Sequence, residues 1–429
     1  MMGTKNTDLA LVPVLRFPEF EGEWEQKKLG DVATRITTKN KENNINVLTI
    51  SAQFGLVSQL EYFTKSVSAK DVTGYYFLSK NDFAYNKSYS KGYPMGAIKR
   101  LNKYQNGVVS TLYICFRNNE RLDNDFAEQF FENGGQNKEI ELVAQEGARN
   151  HGLLNIGVTD FFNIELVIPS LPEQKRIASF FTILDQKLTQ LKQEKTLLAQ
   201  YKKGVMQQLF SQVLRFKADD GKAYPNWESK KLGDVYTFKT TNSFSRENLN
   251  YESGEVKNIH YGDIHTKFKS LFDIEKETVP FINSNISIKR IGEVNFCKEG
   301  DLVFADASED YADIGKCIEL INLNNEKLLA GLHTLLARPD LSKLSIGFGG
   351  YVMKSESVRK QIMEIAQGSK VLSISVSRLS GININIPQKE EQIRIANFLS
   401  AIDEKINQTQ TQIQQTEQYK KGLLQKMFC

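Results

Sequence analysis

The stretch IPSLPEQKRIASFFTILDQK, Ile168 to Lys187, returns as IPQKEEQIRIANFLSAIDEK, Ile386 to Lys405. The offset is 218 positions, and it holds without a gap to QYKKGVMQQLF (Gln200–Phe210) and QYKKGLLQKMF (Gln418–Phe428). Identities at Glu173/Glu391, Gln174/Gln392, Arg176/Arg394, Asp185/Asp403 and Tyr201–Gly204/Tyr419–Gly422 are too regular for chance. The chain is a tandem duplication, and a repeat of this length decides the fold before any single element does.

Inside the first copy, Ile177, Phe181, Leu184, Leu188, Leu191, Leu198, Val205 and Leu209 recur at alternating steps of four and three. Lys195 and Lys202 fill the missing positions, and after Pro172 there is no proline before Phe210. Proline is tolerated in a first helical turn, and Glu173 suits the positive end of the dipole. The pattern predicts one long helix with a narrow heptad seam. About 38 residues at 1.5 Å each would span roughly 57 Å.

The second copy keeps the register with Ile395, Leu399, Ile402, Ile406, Ile413, Leu423 and Met427, and places Thr409 and Thr416 opposite Leu191 and Leu198 in the repeat. Two matched helices with weakened seams predict mutual pairing, with polar positions fixing the register at some cost in stability. The expected pairing residues are Phe181, Leu184, Leu188, Leu191 and Leu198 with Leu399, Ile402, Ile406 and Ile413. The alternative is that each helix covers a domain core by itself. Gly204 and Gly422, unfavourable within a helix, read as a bend or a cap.

Outward from these helices, Val14–Phe17 recurs as Val213–Phe216, and Trp24 with Lys27–Val32 recurs as Trp227 with Lys230–Val235. The second shift is 203, so the segment between landmarks is 15 residues longer in the second copy. The interiors diverge, with faint echoes between Asn81–Tyr85 and Gly300–Phe304 and between Val158–Ile164 and Val376–Ile382. A constant frame around variable interiors suits two readers of different specificity better than two copies of one active site. Strand-like runs at Val108–Phe116, Ile286–Ile291 and Ile382–Ile386, with helical stretches at Asp125–Phe131 and Ser355–Ala366, predict a mixed α/β (α+β) interior. The expected organisation is an N-terminal segment 1–20, a domain 21–170, a helix 171–211, a linker 212–221, a second domain 222–387 and a second helix 388–429.

Composition bounds the function. The chain has 429 residues, 40 % hydrophobic and 25 % charged, which excludes a disordered or collagen-like protein. This length suits about two to four domains. No apolar run reaches a membrane span, and Met1–Arg16 lacks the layout of a signal peptide. Cys115, Cys297, Cys317 and Cys429 are scattered, which suits a reduced cytoplasm.

Motifs for catalysis are missing. There is no G-x-x-x-x-G-K-[ST] phosphate loop and no Asn-Pro-Pro-aromatic tetrapeptide, and Gly347–Gly350 lacks the context of a nucleotide site and reads as a turn. Pro339-Asp340 has no acid-x-Lys partner within reach, so a metal-dependent nuclease centre is not expected. His260 and His265 flank Asp263, too few ligands for a metal site, while His151 and His333 read as isolated structural or surface residues. No catalytic residue, no metal and no bound cofactor is expected.

Local charge is more informative than the total of +4. Lys80–Tyr104 holds six bases against Asp82 alone, interleaved with Tyr85, Tyr89, Tyr93 and Tyr104. Cations for phosphates beside hydroxyl-bearing aromatics suit a nucleic-acid surface, against the alternative of a solvated lysine face. Lys87, Ser88, Tyr89, Lys91 and Tyr93 are the candidates there, with Arg149 and Asn150 on a later turn. The corresponding second-half stretch, Glu299–Asp313, has six acids and no base. Candidates in that half are instead His260, Tyr261, His265 and Lys267, with Ser369 and Lys370 on a turn.

LRFPEFEGEWEQKKLGDV (Leu15–Val32), IPSLPEQKRIASFFTILDQKL, QYKKGVMQQLF and their second copies closely resemble the specificity subunit of type I restriction–modification systems. The resemblance covers essentially the whole chain and rests on the motif IP-x(3)-EQ-x-RIA-x-F, present twice. It implies two target-recognition domains, each reading half of a split DNA site. It also implies that the two helices pair antiparallel in a pseudo-twofold arrangement and set the unread gap. Methylation subunits, two of them, would dock on the chain and bring S-adenosylmethionine. Motor and nuclease subunits using ATP and Mg would join them in the cytoplasm. On the residues alone, a fused methyltransferase with cryptic motifs and a helical assembly protein that binds other proteins stay as alternatives.

Overall fold

The computed structural model describes residues 11–63, 71–144 and 154–429. The heptad stretches form continuous helices, Leu171–Phe210 and Lys389–Met427. Gly204 and Gly422 cap neither of them, which corrects the reading as a cap. Each lies inside its helix, with no neighbour within 4 Å of where a Cβ would stand. The flanking lysines, glutamines, leucines and methionines are good helix formers and absorb the glycine cost of about 1 kcal/mol.

The chain divides into two compact units, Met1–Lys192 with Thr411–Cys429, and Gln193–Gln410. Each unit takes part of each long helix, and within each unit the helix segments run antiparallel. In the first, Lys420 Nζ lies 2.6 Å from Asp185 Oδ1 and Lys192 Nζ lies 2.7 Å from Glu417 Oε1. Leu188, Leu191 and Ile413 form a buried cluster beside these pairs. In the second, Lys195 Nζ donates to Gln410 Oε1 at 2.6 Å and Lys202 Nζ lies 2.5 Å from Asp403 Oδ1.

The helices also enter the domain cores, so the two sequence alternatives coexist. Ile177, Phe181, Leu423, Met427 and Phe428 pack with Trp24, Phe83, Phe116 and Phe126 in the first unit. Val205, Leu209 and Phe210 pack with Ile395, Leu399 and Ile402 beneath Tyr236, Phe304 and Phe348 in the second. Leu184, Leu198 and Ile406 are half-buried.

Each unit builds its variable interior on a sheet. In the first, strands run in the order Ala33–Arg35, Ile114–Asn118, Phe83–Asn86, Ala97–Arg100, all antiparallel. In the second, the order is Tyr236–Lys239, Thr334–Pro339, Leu302–Ala305, Cys317–Asn322, Leu271–Asp273, with only the last pairing parallel. The helices Asn124–Glu132 and Glu356–Ile365 fall where the sequence predicts them.

Two strand expectations are corrected. Val108–Phe116 is not one strand: Ser110 Oγ and its carbonyl accept from the Leu112 and Tyr113 amides, turning the chain between Asn106–Val109 and Ile114–Asn118. Ile286–Ile291 is a run of turns, with the Ile286 amide bonded to Asn283 and the Ile291 amide to Ile288. Its isoleucines instead lie on a small core of Val256, Ile282 and Leu329.

The repeated Glu-Gln pair explains the repeated frame. Glu173 accepts two hydrogen bonds from the Arg16 guanidinium, both 2.7 Å, and one from Trp24 Nε1 at 3.3 Å. Glu391 does the same with Arg215, at 3.1 and 2.7 Å, and with Trp227 Nε1 at 3.1 Å. A carboxylate can be buried this deeply because the arginine fork neutralises it in two-point geometry. Gln174 donates to the Pro169 and Arg121 carbonyls and accepts from the Asp123 amide. Gln392 repeats this with Pro387, Lys343 and Ser345. These residues staple the helix start to the chain segments around it.

Candidate nucleic-acid interface

The duplication reaches further into the interiors than the sequence echoes suggest. Asp82 accepts from the Ser79 amide and forms two bonds with Arg117, at 2.6 and 3.0 Å. Asp301 accepts from the Lys298 amide and forms two with Arg338, at 2.9 and 2.8 Å. The preceding residue is left-handed in both, Asn81 at φ 77° and Gly300 at φ 88°. Five residues past each aspartate, the chain has left its strand and accepts a hydrogen bond from a distant segment. The Leu154 amide donates to the Lys87 carbonyl at 3.0 Å, and the Ile374 amide to the Asp306 carbonyl at 2.9 Å. Equivalent backbone positions thus carry a lysine in one unit and an aspartate in the other.

In the first unit, the basic stretch is partly cancelled by the helix Asn124–Glu132. The buried Lys99 pairs with Glu132, and Arg100 pairs with Asp125 and Glu128. Tyr93 donates its hydroxyl to Glu132 at 2.6 Å, accepts from Lys99 at 2.9 Å and stands under the Lys99 ammonium. Burial pushes the Tyr93 hydroxyl well up, with Glu132 adding to the effect, so it stays protonated. Tyr85 is sealed in the core and Tyr104 donates to Glu61.

The remaining candidates sit at the end of the strand Phe83–Asn86. Lys87 is half-buried and donates to the Ile156 carbonyl at 3.2 Å. The Ser88 amide is held by Asn86 Oδ1, and Tyr89 and Lys91 are exposed. Arg149 and Asn150 lie outside the described residues. A cleft of 1290 Å³ opens at the other end of that strand, by Asn81 and Arg100, and is lined by Lys80, Lys103, Glu128, Asp185 and Lys420 among others. Its mixed charge gives it no preference for phosphate.

In the second unit, the structure draws distant candidates together. His260 begins the short helix Tyr261–Thr266, its Nδ1 accepting from the Gly262 amide at 3.1 Å. Burial, then the Arg246 charge, lowers its pKa and keeps it neutral. His265 donates Nε2–H to the Ala307 carbonyl at 3.0 Å. Lys267 binds Tyr251 Oη and Asp263, both at 3.0 Å, and Asp263 also pairs with Arg246.

Ala307–Ser308 in turn pairs with Leu372–Ser373, the strand that leaves the exposed turn carrying Ser369 and Lys370. His260, Tyr261 and His265 therefore share a neighbourhood with a turn about a hundred residues downstream. His333 belongs there too, its ring 5.3 Å from that of Tyr261. Sequence reading took it as isolated, because only the sheet brings residue 333 next to residue 261.

Three of the six acids of Glu299–Asp313 have local structural duties. Asp301 is bound to Arg338, Glu299 accepts from the Leu323 amide, and Asp310 accepts from the Ala312 amide. Among the described residues, no group of three His, Cys, Asp or Glu side chains is placed to hold a metal ion. Nor is any helix there long and apolar enough to cross a membrane.

The fold and site define a duplicated mixed α/β protein in which paired long helices carry two differently surfaced recognition regions. A family model for the type I restriction modification DNA specificity domain matches residues 21–199 and 224–418. The chain belongs to this family and is a type I restriction–modification DNA specificity (S) subunit, a non-catalytic kind of subunit.

Among similar proteins is the type I restriction enzyme MjaVIII specificity subunit of Methanocaldococcus jannaschii, 26 % identical over 298 residues. That match covers 67 % of this chain and 66 % of the relative. The crystal structure of a type I restriction-modification system S subunit from M. genitalium has the same fold, with a TM-score of 0.53 at 15 % identity, covering 97 % of this chain and 99 % of that one. A chain from a structure titled for complex assembly and conformational transition of the type I R-M system aligns with a TM-score of 0.54 at 16 % identity, covering 94 % and 97 %.

Proposed function

We propose that this subunit directs a type I restriction–modification complex to a bipartite DNA site. Each recognition domain, 21–170 and 222–387, reads one half. The observation that carries this is the pairing of an identical frame with opposite charges at Lys87 and Asp306. Two active sites of one chemistry would keep those positions alike, whereas two readers of different half-sites need them different.

In this reading Lys87, Ser88, Tyr89, Lys91, Tyr93, Arg149 and Asn150 serve the first half-site. His260, Tyr261, His265, Lys267, Ser369 and Lys370 serve the second. The antiparallel helices set the unread gap between the half-sites. Ile183, Leu197, Tyr201 and Tyr419 are large and exposed on those helices, and they suit docking of methylation subunits. Those partners supply the S-adenosylmethionine chemistry, and motor subunits supply ATP- and Mg-dependent cleavage. Extracting the target base costs a few kcal/mol, which the assembled complex offsets.

Methylome sequencing of cells carrying this chain with its methylation partners tests the reading. Two half-sites separated by a fixed gap are expected. Inserting one helical turn, about 3.6 residues, between Asp185 and Tyr201 should change the gap and leave both half-sites intact. Altered half-sites would refute the spacer role, and a motif without a gap would refute the bipartite reading.

A further inference from the structure

We propose that His333 reads a base edge in the half-site recognised by the second unit, and that Asp306 holds it for that role. This rests on the DNA-reading function proposed above.

His333 adopts φ 53°, in the left-handed region. Among the described residues, the other non-glycine positions with positive φ are Asn43, Asn81, Asn324, Asn325 and Gln212. Where only a turn is needed, this chain chiefly uses asparagine, whose short side chain tolerates that conformation. Histidine, like asparagine, is enriched in this conformation, so the turn itself does not demand the imidazole.

The ring is also fixed. Its Nδ1 lies 3.2 Å from Asp306 Oδ1, and the Asp306 amide donates to the His333 carbonyl at 3.1 Å. One side of the ring meets Tyr261, which also carries His260 at 4.7 Å and His265 at 6.2 Å between ring centroids. Yet the side chain remains 51 % exposed. Held by backbone and carboxylate but open to solvent, it has the placement of a contact residue.

The chemistry follows from the tautomer. In its neutral form, with Nδ1–H donated to Asp306 at 3.2 Å, the imidazole offers Nε2 as an acceptor. Its complement in the major groove is an exocyclic amino group, on adenine or cytosine. Guanine and thymine present a carbonyl there and leave Nε2 without a donor. Asp306 stands at the position that Lys87 holds in the first unit, so the two units differ where this contact is built.

The test is methylome sequencing of cells that express the methylation partners with the wild-type chain, His333→Asn, His333→Gly or Asp306→Asn. Both His333 variants suit the left-handed backbone and are expected to fold. The expected result is relaxation of one adenine or cytosine position in one half-site, by about tenfold in discrimination. The other half-site and the gap should not change, and Asp306→Asn should relax the same position. An unchanged motif in both His333 variants would overturn the proposal. So would loss of all methylation at an unaltered melting temperature, since that marks an assembly role. A wild-type chain that yields no bipartite motif would instead sink the function on which the proposal rests.

Discussion

Lys202 and Asp403 form an ion pair of 2.5 Å in the second unit, and their repeat counterparts Lys420 and Asp185 form one of 2.6 Å in the first. The same two repeat positions meet in both units with the helices exchanged. Tyr351 adds to the second pair by donating its hydroxyl to Asp403 at 2.8 Å. Lys202→Met or Asp403→Asn should therefore lower the stability of the second unit by about 1–2 kcal/mol, between the values for exposed and buried pairs. The exchange Lys202→Asp with Asp403→Lys should recover part of the loss in a double-mutant cycle of denaturant melts. Additive losses would show that the pair contributes nothing as a pair.

The two tryptophans report the two frame staples separately. Glu391 is fully buried, and its carboxylate oxygens accept from Arg215 and Trp227. Arg215→Ala should destabilise the second unit by about 3 kcal/mol, because it leaves a buried carboxylate without its cation. In a Trp24→Phe background, where Trp227 is the only indole, the emission-monitored melt should shift to lower denaturant.

Glu319 links the second unit to pH. Burial raises its carboxyl to about 7, although the Gly350 and Gly347 amides favour the charged form at 2.6 and 2.7 Å. The folded value lies above the ordinary value of 4.5, so the native state holds the proton that the unfolded chain releases. Stability from this group is present below about pH 4.5 and is lost as pH rises towards about 7. The slope is at most about 1.4 kcal/mol per pH unit. Comparing wild type with Glu319→Gln in melts across that window should show wild type losing stability relative to the variant as pH rises. Parallel curves would contradict it.

Lys91 and Lys99 should behave differently although they lie on one basic stretch. Lys91 is exposed, so Lys91→Ala should weaken DNA binding by the assembled complex similarly across sequences. It should also reduce the slope of log K against log salt by about 1. Lys99 is buried against Glu132 and Tyr93, so Lys99→Ala should chiefly lower the melting temperature. Titrations at several salt concentrations, paired with thermal melts, separate the two effects.

The frame was the legible part. Glu173, Gln174, Asp185 and Lys202 repeat at one spacing because each makes the same contact twice, and repetition is visible without coordinates. The recognition surface was legible only in part. The charge count over Lys80–Tyr104 overstated the free cations, since it cannot see the acids that Asn124–Glu132 brings to Lys99 and Arg100. The strand break at Ser110 was missed because a local hydroxyl-to-amide turn competes with a run of β-formers.

By itself the sequence determined the duplication, the two long helices and the family, because these rest on periodicity and repetition along one chain. Only the tertiary structure decided that His333 meets Tyr261 and that Lys202 pairs with Asp403. Those are contacts between residues far apart in the chain. They depend on strand register and antiparallel packing, where a shift of one position would place a different side chain at each contact.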